Sequence, residues 1–251
     1  MSKSNLNVAA AGDSWNVDLP FDFATGGGIA KALFERCLGI TDYPNIAHAG
    51  NSTDETEGLD YCLKLEAMLP GKDILLYSSG GDDIAGPQFK VMLNECVTVG
   101  GDVSRAVNWE RFYARMKWTL ACFEDLIEIR DRLAPQCWIV TTSYDFPPAS
   151  VMGRGVLMLG PWLQPGLIYC GWTDSNDQSA IVKQVLAEFQ NAMSNFAFNN
   201  PRWLHVNTQG TCHPEHWANE LHLTSDGCLE IARVINAGLL PVLDQIASRP
   251  H

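Results

Sequence analysis

Two side chains in this sequence could together perform acyl chemistry: the hydroxyl of Ser14 and the imidazole of His222. Ser14 ends the stretch Val8-Ala-Ala-Ala-Gly12-Asp13-Ser14, in which small, β-prone residues stop abruptly at Gly-Asp-Ser. A short buried strand that ends this way leaves the hydroxyl at the carboxyl edge of a sheet, where open α/β folds place their ligand sites. His222 lies in Glu215-His-Trp-Ala-Asn219-Glu220-Leu-His222-Leu-Thr224, after the last strand expected and before the last helix. On the same edge it can take the Ser14 proton and return it to a leaving group. Each residue alone has a plainer reading. Gly12-Asp13 can be a turn with Ser14 capping a helix, and loop histidines are usually solvated.

The elements that must position this pair alternate between strand and helix. Strands are expected over Asn5 to Ala11, Asn45 to Ala49, Ile74 to Tyr77, Cys137 to Thr142 and Trp203 to Asn207. Apolar residues at three- and four-residue spacing predict helices from about Gly28 to Cys37, from Asp54 through Met68, from an Asn108 cap to Pro135, and from about Asp177 to Phe198. A last helix starts at Thr224 or Ser225, and Gly238 and Pro241 disturb it. Helices between strands require parallel pairing with right-handed crossovers. The fold class expected is therefore α/β, a three-layer α/β/α sandwich on a five-stranded parallel sheet. The segment from Asp145 to Thr173 is long, apolar and rich in Pro and Gly; it either lines a pocket or covers a sheet edge.

At 251 residues with 46% hydrophobic content, the chain suits one domain over 1–251 with a single core. A net charge of -12 with no basic cluster argues against nucleic acid or an anionic membrane surface as partner. The amino terminus lacks the apolar run of a secretory signal, and no stretch is long enough to span a membrane, so the location expected is cytoplasmic. Eight scattered cysteines, none in Cys-x-x-Cys, read as buried thiols.

Gly12-Asp13-Ser14, Gly50, Gly80-Gly81-Asp82-Asp83 and His222 resemble, in order and spacing, the four motif blocks of the SGNH (GDSL-type) hydrolase family. The resemblance spans most of the chain. It implies a flavodoxin-like sheet, a Ser nucleophile, a His base three residues after an Asp, and an oxyanion hole made by the Ser amide, a Gly amide and an Asn side chain. Carried over, Ser14 is nucleophile and first oxyanion donor, Gly50 is the second donor, and Asp82 stands where the family has the Asn donor. Asn219 stands where the family has the acid. An ionised Asp82 has only acceptors, so it must be protonated to donate, which burial beside Asp83 would favour; otherwise it turns away and the Gly81 amide or a water replaces it. Asn219 can accept from His222 Nδ1 and hold the tautomer that presents Nε2 to Ser14, without neutralising the imidazolium. Glu215, Glu220 and Asp145 are the other acids that folding could bring to His222.

The activity expected is hydrolysis of a short-chain carboxylic ester through a Ser14 acyl-enzyme, with His222 as base, a small-molecule ester as partner, and neither metal nor cofactor. Acyl transfer to an alcohol from the same site is the first alternative. A non-catalytic binding protein, suggested by the departures at Asp82 and Asn219, is the second. Cys212-His213-Pro-Glu215-His216 lacks a complementary cluster for a metal, and Gly26-Gly27-Gly28 fits neither phosphate-loop spacing.

Overall fold

The computed structural model describes residues 6–17, 28–156 and 159–249. Asn5, Gly26 and Gly27, named above, and residues 157 and 158 of the Asp145 to Thr173 segment lie outside the described residues.

Four parallel strands form the sheet: β1 Val8–Gly12, β2 Ile74–Ser78, β3 Trp138–Thr142 and β4 Trp203–Val206, in the order β1-β2-β3-β4. Parallel register pairs Gly12 with Ser78 and Thr142 with Val206, so the loops leaving all four strands emerge at one edge. The expected five strands are thus corrected to four. The segment expected as a second strand runs beside β1, with Ala10 N–H donating to Pro44 O, Ile46 N–H to Ala10 O and His48 N–H to Gly12 O. It makes one isolated bridge at Asn45 and no regular strand. The ladder breaks on the β1 side: Gly12 N–H, which would bond this segment next, donates instead to Tyr61 Oη at 2.6 Å, while the Asn45 side chain donates to Asn16 O at 2.8 Å and accepts from Ala47 N–H at 3.0 Å.

Between the strands lie α1 Ile29–Lys31, continuing as a π-helical turn over Ala32–Leu38, then α2 Thr53–Thr56, α3 Leu59–Met68, α4 Gly81–Ile84 and α5 Trp109–Leu133. After β3 come α6 Gln164–Tyr169 and α7 Ser175–Asn199; after β4, α8 Ser225–Gly238 and α9 Leu240–Ala247. The caps follow the sequence: Asn108 accepts from Arg111 N–H, and Thr224 from Gly227 N–H. The single helix expected from Asp54 to Met68 is two, because Gly58 takes an extended conformation and restarts the chain as the cap of α3.

One face of the sheet packs Tyr77 and Trp203 against Phe123 of α5 and Phe196 of α7 through edge-on and tilted ring contacts. A separately packed set joins α1 and its π-helical continuation to α8. No disulfide joins any of the cysteines. No described helix is long and apolar enough to cross a membrane.

The sharpest backbone demand falls at the end of β1. Gly12 has φ 107°, and a Cβ there would sit 1.7 Å from Ser78 O. Gly39, which ends the π-helical turn at φ 74°, has open space around it. Gly12→Ala should therefore cost more than ~4 kcal/mol in urea unfolding, whereas Gly39→Ala should cost only about 1–2 kcal/mol. Equal costs would show that the close approach of β1 to β2 is not a constraint.

Candidate active site

Ser14 follows the Gly12 turn at the carboxyl edge of β1. Asp13 anchors this corner, with its N–H on Ser78 O at 2.7 Å and its Oδ1 accepting from Trp15 N–H at 3.0 Å. Asn16 completes it by donating to Ala11 O and Leu76 O, which ties the corner to β1 and β2. The Ser14 amide is not engaged by any described residue.

His222 reaches Ser14 across more than two hundred residues of chain, with Nε2 3.0 Å from Ser14 Oγ. Its Nδ1 lies 3.1 Å from Asn219 Oδ1. That oxygen also accepts from the N–H groups of Leu221 and His222, each at 2.9 Å. Two backbone donors identify the atom as oxygen, so Nδ1 must carry the ring proton and Nε2 is left as the acceptor facing Ser14. Asn219 Nδ2 is buried without a partner, so the side chain is held by its oxygen alone. Burial pushes the His222 imidazole down to about 4, which keeps it neutral over the ordinary pH range.

Other rings fix the neighbourhood. Trp15 Nε1 donates to Leu221 O at 3.0 Å, and the Trp162 ring stands edge-on to His222 at 5.5 Å. Tyr144, just past the end of β3, donates to Asp13 Oδ2 and accepts from Gly81 N–H at 3.0 Å. A Cβ on Gly81 would lie 2.7 Å from the Tyr144 ring, so this bridge between the first and third loops needs glycine there. The sequence reading did not single out Tyr144, Trp15 or Trp162. Position one turn past a strand end was the available signal for Tyr144.

Beneath Ser14 is a cavity of about 50 Å³, lined mainly by apolar groups including Trp15, Phe89, Leu163, Val185, Trp217 and Leu221. Among the described residues of the Asp145 to Thr173 segment, Asp145, Pro147 and Leu163 line it. Asp82 borders this cavity and also a wider groove of about 580 Å³ that carries Gly50, Glu55, Gln88, Arg111 and Arg115. Gly50 sits on an exposed turn at φ 85° and borders the groove rather than the cavity.

Burial, and then the charges of Asp13, Asp83 and Glu55, push the Asp82 carboxyl up to about 8. Burial likewise raises Asp13 above the usual carboxylate range, against the lowering effect of the bonds it accepts. Asp83 is buried and paired with Arg115 at 2.9 Å, and accepts from Thr53 and Thr119. The Gly81 amide, the sequence alternative to Asp82 as a donor, is already spent on Tyr144.

The three other acids are placed away from the imidazole. Asp145 accepts from the N–H groups of Phe146, Gly210 and Cys212. Glu220 is turned to the loop carrying Trp162, and Glu215 is exposed. His213 and His216 bond each other locally, His213 N–H to His216 Nδ1 at 3.1 Å. Among the described residues, the His, Cys, Asp and Glu ligand atoms close enough to share an ion are those of Glu57, Cys62 and Asp125, remote from these histidines in the chain. Gly28 is pressed against the backbone of Asn16 and Val17, where a Cβ would lie 2.6 Å from Val17 O; it serves as a helix entry.

No family model matches this chain, and no curated protein sequence matches it. Solved structures do. The lipase Lip_vut3 from goat rumen metagenome aligns at 13% identity and TM-score 0.59, over 93% of this chain and 97% of that one. The family 3 carbohydrate esterase of Clostridium thermocellum aligns at 13% identity and TM-score 0.55, over 97% and 99%. An extracellular lipase of Streptomyces rimosus aligns at 16% identity and TM-score 0.53, over 96% and 99%. The likeness covers nearly the whole chain and is one of fold.

The raised acids give a stability test with a definite sign. Asp82 and Glu57 both stand at about 8 in the folded protein, Glu57 through burial first, so each binds a proton that the unfolded chain has released above its ordinary carboxylate pKa. His222 and His205, both at about 4 through burial, act oppositely, but only below the ordinary histidine pKa of about 6.5. Between about pH 6.5 and 8 the folded state therefore binds more protons, and stability must fall as pH rises. Denaturant midpoints should drop across that window, and Asp82→Asn with Glu57→Gln should flatten the drop. A midpoint that rises with pH there would contradict the burial of these acids.

Proposed function

We propose that this fold hydrolyses a carboxylic ester of a short acyl group through an acyl-enzyme on Ser14. The observation that carries the reading is the 3.0 Å approach of Ser14 Oγ to an unprotonated His222 Nε2, with Nδ1–H committed to Asn219. Lipase and esterase activities named for proteins of the same fold point the same way.

In the first half-reaction Ser14 Oγ attacks the ester carbonyl carbon while its proton passes to Nε2, and the carbonyl pair moves onto oxygen. Collapse breaks the bond to the alcohol oxygen, which leaves with the proton from Nε2. Water then repeats the sequence on the acyl-enzyme, giving its proton to Nε2 and releasing the acid and free Ser14. Asn219 orients the ring throughout but brings no charge to offset the imidazolium. None of these steps calls for a metal ion or an organic cofactor.

The unengaged Ser14 amide is one oxyanion donor, and a protonated Asp82 is the second. With its carboxyl pushed up to about 8, Asp82 keeps a donor proton at neutral pH. Gly50, bordering the groove, contributes where the bound ester extends to it. The apolar cavity below Ser14 has room for a small acyl group, and the groove beyond Asp82 receives the alcohol portion.

Chromogenic acetate, butyrate and octanoate esters test this directly. Wild type should favour the short esters, and Ser14→Ala or His222→Ala should lower turnover by ~10⁴-fold or more, because such residues act as a unit. Equal rates in wild type and Ser14→Ala would remove the hydrolase reading.

The pH profile tests the two departures from the family pattern. Activity should rise as pH passes about 4, where His222 becomes neutral, and fall as pH passes about 8, where Asp82 loses its donor proton. Asp82→Asn keeps a donor without the titration and should extend activity to higher pH. Asn219→Asp places a carboxylate at Nδ1 and should move the acidic limb upward. An alkaline limb unmoved in Asp82→Asn would exclude Asp82 as a donor.

A further inference from the structure

Glu220 is a buried acid that the mechanism leaves unused. It is 1% exposed, and no cation pairs with it among the described residues. Its carboxylate is met instead by backbone donors of one loop. Oε2 accepts from Gly153 N–H at 2.9 Å, Oε1 accepts from Trp162 N–H and Leu163 N–H, and Gln164 N–H is shared between the two at 3.4 and 3.3 Å. The Glu220 amide answers by donating to Arg154 O at 3.3 Å. A buried carboxylate surrounded only by N–H groups is held by charge-assisted bonds, and losing one oxygen acceptor leaves several amides without a partner.

What this carboxylate holds bears on the site. Trp162 is the ring edge-on to His222, Leu163 is part of the wall of the cavity below Ser14, and Glu220 stands between Asn219 and His222 in sequence. The loop turns at Gly153 through φ 81°, a conformation that a residue with a side chain rarely adopts. We propose that Glu220 is a positioning residue that sets acyl selectivity, by fixing the Trp162–Leu163 wall to the same loop that carries the base. This rests on the ester-hydrolase reading. Glu220 borders the cavity itself but touches no reacting atom; it acts on the wall through the backbone of Trp162 and Leu163.

The test compares wild type, Glu220→Gln and Gly153→Ala on acetate, butyrate and octanoate esters, with amide hydrogen exchange on the same proteins. Glu220→Gln keeps the shape but turns an NH₂ group toward N–H donors. Gly153→Ala loosens the same loop without altering Glu220 or any catalytic group. Both should raise KM for acetate by ~10-fold while kcat changes far less, and shift the butyrate-to-acetate ratio of kcat/KM by ~5-fold or more, within the range a pocket wall controls. The acidic limb of the pH profile should stay where it is, since Asn219 and His222 are untouched. Amide exchange should quicken at Gly153, Trp162, Leu163 and Gln164.

A loss of kcat with an unchanged chain-length ratio in folded variants would overturn the proposal. Should Glu220→Gln not fold, Gly153→Ala with an unchanged ratio would overturn it equally. A wild type inert to all three esters would overturn the hydrolase reading and the selectivity claim together. That failure is distinguishable because amide exchange reads the loop without any ester: slow exchange at these four amides in wild type would leave the lock standing and the chemistry refuted.

Discussion

The site depends on one oxygen. Asn219 Oδ1 accepts from two backbone N–H groups and from His222 Nδ1, so the amide cannot be turned over and the imidazole cannot adopt its other tautomer without losing a buried bond. In a histidine held by a carboxylate, charge does much of this orienting. Here geometry does it alone, and the unpartnered Nδ2 shows that the side chain is kept for its oxygen. Every other contact around the ring, from Trp15 on Leu221 O to the edge of Trp162, tightens the loop that presents this oxygen.

The sheet supplies the second requirement, which is that loops far apart in sequence end at one edge. Parallel register brings Gly12 level with Ser78, and Gly12 tolerates the approach of Ser78 O only because it has no side chain. From that edge Tyr144 joins the Asp13 corner to the Gly81 turn, so the loops that carry Ser14 and Asp82 are tied to each other. The same crowding brings Asp13, Asp82 and Asp83 together. With Asp83 committed to Arg115, the remaining strain of like charge and burial is relieved by protonation, and Asp82 is where that leads to a carboxyl at about 8.

Most of this was legible in the residues. The four regular strands, the Asn108 and Thr224 caps and the long helices followed from periodicity and capping, because those signals are local. Ser14 and His222 could be paired on paper because strand ends share an edge, and Asn219 was added by the resemblance to the family's last block; the structure brings those three into one hydrogen-bonded chain. The Asn45 segment looked like a strand because nothing in its pattern shows that Tyr61 would take the Gly12 N–H. Gly50 could be matched by order in the chain, but which side of the edge its turn borders was not encoded in that order. Tyr144 and Glu220 were out of reach for a different reason: their partners are backbone amides more than fifty residues away, which no spacing encodes.

The two departures from the family pattern make one electrostatic argument when taken together. The pattern that the chain resembles has a neutral amide in the third block and an acid before the histidine; here the acid is Asp82 and the amide is Asn219. An acid at position 219, behind His222 Nδ1, would add one more carboxylate to a buried neighbourhood that already holds Asp13, Asp82 and Asp83. An uncharged Asn219 avoids this. The low pKa of His222 is the counterpart: with no anion at Nδ1, burial acts unopposed and keeps the ring a neutral acceptor at the pH where Asp82 is still protonated. On the proposed mechanism the exchange trades imidazolium stabilisation for a less negative site, and the base and the acid donor share a common working range only because both are buried.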